Sequence, residues 1–219
     1  MPFKMVPGRD RKLNRLVKRG MIRELGRGQA LYAAGEPAGD VYVVTTGLLL
    51  LTTRHEDGSE RTVDLAGPME LAGEEGLMPG ASRRTGAQAG TASQVIVLEG
   101  EAVSQVLRTA SRTFYVFLQG KDESLALARI PGIPRAAGGA RSRLAAVLLH
   151  LSGRFGRKEG RGVRIPVRVT HQVLADLSGS HRSTVTTILN DWIYEGVLAG
   201  RSGDLWILRP QALADPCGE

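Results

Sequence analysis

The chain has 219 residues, 42% of them apolar, and a net charge of +7, which suits one large or two modest globular cores. No apolar run approaches the roughly 18 to 20 residues of a membrane span, and the start, Met1-Pro2-Phe3-Lys4-Met5-Val6, has no long apolar signal core, so a cytoplasmic protein is expected. Cys217 is the single cysteine, which excludes an internal disulfide, a cysteine-rich zinc site and a four-cysteine iron–sulfur cluster.

Residues 1–20 read as a basic tail running into a short amphipathic helix, with Leu13, Leu16 and Val17 on one face. Residues 21–110 read as a β domain of sandwich or jelly-roll type. Its candidate strands are Ala30–Ala33, Val41–Thr45, Leu48–Arg54, Arg61–Ala66, Thr85–Ala89 and Gln94–Leu98, with Asp57-Gly58 as a hairpin turn. A short helix is expected over 101–109.

Residues 111–134 read as a long helix and a hinge. Ser111 can cap a helix reaching about Ile130, and Phe114, Phe117, Leu118, Leu125 and Ala128 suit either packing on its own sheet or a dimer seam, of which the seam is the reading adopted. Pro131-Gly132-Ile133-Pro134 ends it, because proline lacks the donor a helix needs. With Gly138-Gly139 this marks the domain boundary.

Residues 135–219 carry the remaining elements. An amphipathic helix runs over 140–154 through Leu144, Val147, Leu148 and Leu151. Gly153 to Gly162 is basic and loop-like, Val163–Val169 reads as an edge strand because it contains Pro166, and 211–219 reads as a frayed tail. Charge changes along the chain: nine Lys or Arg against two Asp or Glu in 1–27, eight against thirteen in 28–134, twelve against seven in 135–219. Only the basic final third is suited to nucleic acid by phosphate neutralisation, the basic head being as well explained by a solvated tail.

Within that final third, 169–198 reads as a helix, a tight turn and a longer helix. Thr170 can accept from the first free backbone donors, as an N-cap does. Val173, Leu174 and Leu177 form one apolar stripe, and Gly179 stands where the chain must turn. Ser180 or His181 opens the second helix, whose apolar face is Val185, Ile188, Leu189 and Trp192. Arg182, Ser183, Thr186, Thr187 and Asn190 lie opposite, with no acid before Asp191. Such a face suits base edges and phosphates in a DNA major groove, though an ordinary helical hairpin would have the same spacing. Leu198–Leu208, with its Gly-rich tip and Arg201, reads as a hairpin wing beside the DNA backbone, and this favours DNA binding.

In this order the chain resembles the CRP/FNR family of bacterial transcription regulators over about residues 21–210. In the DNA-binding part the resemblance rests on Thr170, Leu174-Ala175, Gly179, Arg182, Thr184-Val185, Ile188-Leu189 and Gly196. In the β part it rests on Gly35-Glu36-Pro37-Ala38, Val41-Tyr42-Val43-Val44, Gly47, Asp57-Gly58, Gly73-Glu74 and Arg84-Thr85. It implies an α+β protein with an N-terminal jelly roll, a dimerisation helix and a C-terminal winged helix-turn-helix. It implies a homodimer on a near-palindromic operator, with RNA polymerase as a further partner, and no enzymatic activity.

The resemblance also implies site residues. Thr170, His171 and Thr184 would contact phosphates; His181, Arg182, Ser183, Thr186, Thr187, Asn190 and Arg201 complete the DNA-binding set. Gly73, Glu74, Arg84 and Thr85 resemble the phosphate-binding cassette of cyclic-nucleotide receptors: Arg84 and Thr85 for the phosphate, Glu74 for the ribose, Gly73 for close backbone approach. A fold-stabilising Arg–Glu pair is the alternative for these residues.

The chain departs from the family pattern at three places. Glu75 stands where the cAMP receptor has leucine, and a carboxylate there opposes phosphate binding unless it points away. Ala128 and Arg129 stand where the receptor's adenine-contacting Thr-Ser pair would be, and Ser183 and Thr187 replace the Glu and second Arg of the usual recognition helix. The expectation is a regulator that is effector-independent or altered in nucleotide specificity. The alternative is a cAMP or cGMP sensor whose ligand gates DNA binding, with cAMP the one cofactor considered. A metal-dependent cupin enzyme is disfavoured because His55 is the only histidine in the β region, and no residue there stands out as a haem ligand.

Overall fold

The computed structural model describes residues 11–55, 58–109, 139–160, 162–201 and 204–214. The chain divides into two compact units, Met1–Ser124 and Leu125–Glu219. The expected dimerisation helix and hinge over 111–134, with the seam positions Phe114 to Ala128, lie outside the described residues.

The first unit is a jelly roll of two sheets with helices on one outer face. Helix α1 (Arg11–Arg19) precedes β1 (Met21–Leu25), β2 (Ala30–Tyr32), β3 (Asp40–Thr46), β4 (Leu49–Arg54), β5 (Glu60–Ala66) and β6 (Leu71–Ala72). A 3-10 turn (Glu74–Leu77), β7 (Gly86–Ala89), β8 (Ser93–Glu99) and α2 (Gly100–Thr109) complete it. One sheet has the order β1-β8-β3-β6 and the other β2-β7-β4-β5. All six expected strands are present, and β1 and β6 are additional. Neither carries a local signal: Met21 and Ile22 of β1 are exposed, and β6 has two residues.

Strand β3 shows how side-chain alternation builds both cores. Tyr42 and Val44 face inward with Leu25, Leu31, Tyr32, Leu49, Ala87 and Val95. Val41 and Val43 face outward, where Val103 and Leu107 of α2 and Leu16 and Val17 of α1 cover them. A strand covered on both sides loses the polar alternation of a half-exposed one, which is why 41–44 is a continuous apolar run.

The second unit is a winged helix-turn-helix: α3 (Ala140–Phe155), β9 (Arg157–Glu159), β10 (Gly162–Ile165), α4 (His171–Ser178), α5 (Arg182–Tyr194), β11 (Leu198–Arg201), β12 (Asp204–Ile207) and α6 (Pro210–Ala214). Leu144, Val147, Leu148 and Leu151 of α3 are buried, as are Val173, Leu174 and Ala175 of α4 and Val185, Ile188, Leu189 and Trp192 of α5. Full burial of each leucine contributes roughly 2 kcal/mol, so this three-helix contact is a large part of the unit's core.

Three expectations are corrected here. β10 lies inside the four-stranded order β11-β12-β10-β9, not at an edge; it ends at Ile165, and Pro166 falls just beyond the ladder. The basic stretch after α3 supplies β9, because Arg157, Lys158 and Glu159 pair across to 162–164. The stretch read as tail forms α6 over Pro210–Ala214, held by the fully buried Leu213.

Candidate nucleic-acid interface and effector cassette

The turn between α4 and α5 is set by local chemistry. The Thr170 hydroxyl accepts from the Val173 N–H at 3.2 Å, capping α4. Gly179 at φ 58° ends it in the left-handed region, and the Ser180 N–H closes back on the Ala175 carbonyl at 2.9 Å. His181 is the N-cap of α5 without a side-chain cap bond, which resolves the choice between Ser180 and His181.

The polar side of α5 is presented outward. His181, Arg182, Ser183, Thr187 and Asn190 are exposed, while Thr184 and Thr186 are half-buried. Thr170 is exposed and His171 half-buried at the N-terminus of α4, where free backbone N–H groups and the helix dipole favour an anion. His171 Nδ1 lies 2.9 Å from Thr186 Oγ1, so these two expected contact residues are joined to each other. Arg201 ends β11; its side chain and the 202–203 tip lie outside the described residues.

Two arginines that carry no motif hold this arrangement. Arg141 Nη2 bonds the Glu195 carboxylate at 2.7 and 2.8 Å, and its guanidinium lies 5.1 Å from the Trp192 ring centroid. Arg143 Nε donates to the Ser178 carbonyl at 2.8 Å, placing a cation at the C-terminus of α4. Together they tie the first turn of α3 to the end of each helix of the pair. The only sequence signal for them is basic residues in the first turn of an otherwise apolar-faced helix.

In the β unit the chain around 73–85 folds about an arginine, and it is Arg83. Its guanidinium lies 4.4 Å from the Tyr32 ring centroid and 5.3 Å from that of Tyr42, and the two rings stack on each other at 5.5 Å. Nη1 donates to the Gly73 carbonyl and Nη2 to the Asp40 carbonyl, both at 2.7 Å. Gly73 has φ 73°, and a Cβ there would stand 2.5 Å from Arg83 Nη1. The positive φ favours glycine at 73, and any side chain there would also displace the Arg83 guanidinium.

Glu75 is 5% exposed, and its Oε2 lies 3.8 Å from Arg83 Nη1. Its Oε1 accepts from the Arg84 backbone N–H at 3.2 Å. The carboxylate therefore points into the cassette. Glu75 Oε2 and Arg83 Nε have no hydrogen-bond partner among the described residues. Arg84 is exposed, and Glu74 and Thr85 are half-buried. Burial first, then the Glu75 and Glu74 charges, push the Tyr32 hydroxyl well above the ordinary tyrosine range, and burial raises Tyr42 too.

A separate cavity of about 250 Å³ is lined by Tyr32, Thr52, Arg54, Glu60 and Gln88 among others, and by none of the four cassette residues. No group of three or more His, Cys, Asp or Glu is placed to hold a metal among the described residues. No helix among them is long and apolar enough to cross a membrane.

Residues 22–110 match the model of the cyclic nucleotide-binding domain, and residues 142–215 match that of the Crp-like helix-turn-helix domain. The chain belongs to the CRP/FNR family of transcription regulators. Among CRP/FNR relatives it is 27% identical over 181 residues to a CRP-like cAMP-activated global transcriptional regulator of Mycobacterium tuberculosis, covering 78% of this chain and 76% of that one. It is 29% identical over 195 residues to a global nitrogen regulator of Synechococcus elongatus, covering 88% of each. A crystal structure of a CRP-family regulator from Thermus thermophilus superposes with a TM-score of 0.65 at 27% identity, over 90% of this chain and 97% of that one. The structure of FixK2 from Bradyrhizobium japonicum shares the fold at a TM-score of 0.71 and 19% identity, over 90% of this chain and 96% of that one. The chain is a DNA-binding transcription regulator of the CRP/FNR type and not an enzyme.

Proposed function

We propose that this CRP/FNR regulator acts in the cytoplasm as a homodimer on a near-palindromic operator, with RNA polymerase as its further partner. The domains follow the sequence reading: a basic head to residue 20, the β domain over 21–110, the dimerisation helix and hinge over 111–134, and the DNA-binding domain over 135–219. Two-fold symmetry would set two copies of α5 in successive major grooves about 34–36 Å apart. Arg182 is suited to guanine O6 and N7, and Ser183, Thr187 and Asn190 to neighbouring base edges. His181 joins them at the start of the helix. Thr170, His171, Thr184 and Arg201 are suited to phosphates. The observation that carries this is the acid-free polar face of α5, with His181, Arg182, Ser183, Thr187 and Asn190 exposed, on a helix tied at its C-terminal end by Arg141.

We further propose that DNA binding does not require a cyclic nucleotide. The buried Glu75 carboxylate already occupies the Arg84 N–H and lies 3.8 Å from Arg83, so a phosphate brought beside it would compete for both partners and be repelled by the carboxylate. The second reading, a cAMP-gated regulator using Gly73, Glu74, Arg84 and Thr85, is favoured by the matched domain and by the cAMP-activated relative. Selection of bound sequences from a random duplex pool, with and without cAMP or cGMP, tests both. One palindromic consensus regardless of nucleotide is expected; enrichment only with nucleotide would support gating; no enrichment in any arm would refute operator recognition.

A further inference from the structure

The two adjacent threonines of α5 are held differently. Thr186 Oγ1 donates to the Arg182 carbonyl at 2.9 Å. Its single proton is thereby used, so the 2.9 Å bond to His171 Nδ1 has the ring nitrogen as donor. The Thr186 oxygen thus both donates and accepts inside the protein. Thr187 is exposed, and its Oγ1 donates to the Ser183 carbonyl at 3.2 Å. Folding the hydroxyl back onto the preceding turn is a local bond that serine and threonine make readily in helices. While that bond is kept, Thr187 has no proton to give to guanine O6 or N7; its oxygen can still accept, and its γ-methyl is free to meet a base.

We propose that Thr187 is a specificity-determining residue that recognises thymine through contact between its γ-methyl and the 5-methyl group of the base. Thr186 is a positioning residue, fixed by His171, and does not read sequence. Thymine alone among the four bases carries a methyl group in the major groove. Two methyl groups brought together there bury apolar surface with no hydrogen bond to satisfy. This rests on α5 being the recognition helix, and the experiment separates failure of the two ideas.

The test replaces thymine by deoxyuridine, one position at a time, in the operator selected from a random pool. Deoxyuridine lacks only the 5-methyl group. For the wild-type full-length protein, one symmetric pair of replacements should weaken binding about three- to fivefold per half-site, as expected for one lost methyl contact. Thr187→Val keeps the methyl and should keep that sensitivity. Thr187→Ser removes it and should bind thymine and deoxyuridine operators equally. If no replacement affects the wild type, or Thr187→Ser keeps the full discrimination, the thymine assignment is overturned while operator recognition stands. If the pool yields no selected sequence, recognition by α5 is refuted, and the assignment with it.

Discussion

Arg83 and Glu75 face each other in the interior of the β unit, 3.8 Å apart, with the guanidinium against Tyr32 and Tyr42. The pair is buried and poorly hydrogen-bonded between its members. Arg83 has two carbonyl partners, whereas Glu75 has a single backbone donor. Removing one ion of a buried pair strands the other, which costs about 3–5 kcal/mol when geometry is good. Arg83→Met should therefore destabilise the β unit by roughly 3 kcal/mol, and Glu75→Gln by less, because Gln keeps the acceptor for Arg84 N–H. Urea unfolding followed by far-ultraviolet circular dichroism, which registers the loss of the β sheets, measures both; equal and negligible losses would show that the pair does not hold the unit together.

The same carboxylate is the obstacle that the proposed function sets against an anion in the cassette. Calorimetry should give no heat for wild type with cAMP or cGMP at millimolar concentration, and Glu75→Gln should raise nucleotide affinity. Wild-type binding that Arg84→Ala abolishes would instead establish the nucleotide-sensing reading.

Alkaline stability tests the setting of Tyr32. Burial, Glu75 and Glu74 raise its ionisation above the ordinary tyrosine value of 10.0. A folded-state value above the unfolded one makes stability fall as pH rises, because the folded state binds more protons throughout the interval between the two values. Here the folded state holds the phenolic proton more tightly, so as pH rises past about 10 the unfolded state is favoured by its easier ionisation. The contribution is therefore intact below about pH 10 and is lost as pH rises toward the folded value. The β unit should lose stability above about pH 10, and Tyr32→Phe should make that loss shallower. Identical alkaline profiles for the two proteins would contradict the stated environment of Tyr32.

The cap of α4 gives a separable effect on DNA binding. Thr170→Ala removes the bond to Val173 N–H and should destabilise the second unit by about 1 kcal/mol. Operator affinity should fall with scrambled-duplex affinity, since a phosphate contact carries no sequence information. A selective loss of operator preference would make Thr170 a base reader instead.

These relationships differ in how far the sequence reveals them. Thr170 and Gly179 are legible because a cap and a left-handed turn are local: the residue type and its offset from the apolar stripe define the job. The six expected strands are legible from alternation and turn residues, whereas β1 has four of its five residues exposed and β6, at two residues, is too short to carry a pattern. Pro166 misleads because it directly follows the last paired residue, so it marks the end of β10 and not an edge position. The cassette is legible as a cluster but not in its pairing. Arg83 and Arg84 are adjacent in a stretch outside the strands, and only Arg83 has its side chain buried. Which one enters depends on stacking against Tyr32 and Tyr42, residues distant in the chain that no local pattern links to it. Arg141 and Arg143 escape a sequence reading for the same reason, because their partners lie in other helices.

The most direct test of the account is the ratio of operator to scrambled-duplex affinity for wild type and Arg182→Ala at one fixed salt concentration. A bidentate arginine–guanine contact contributes about 1–3 kcal/mol of discrimination per site. The ratio should therefore fall at least about fivefold in the variant, while scrambled-duplex affinity changes about threefold or less. A variant that kept the wild-type ratio would contradict the claim that the exposed side of α5 reads the operator.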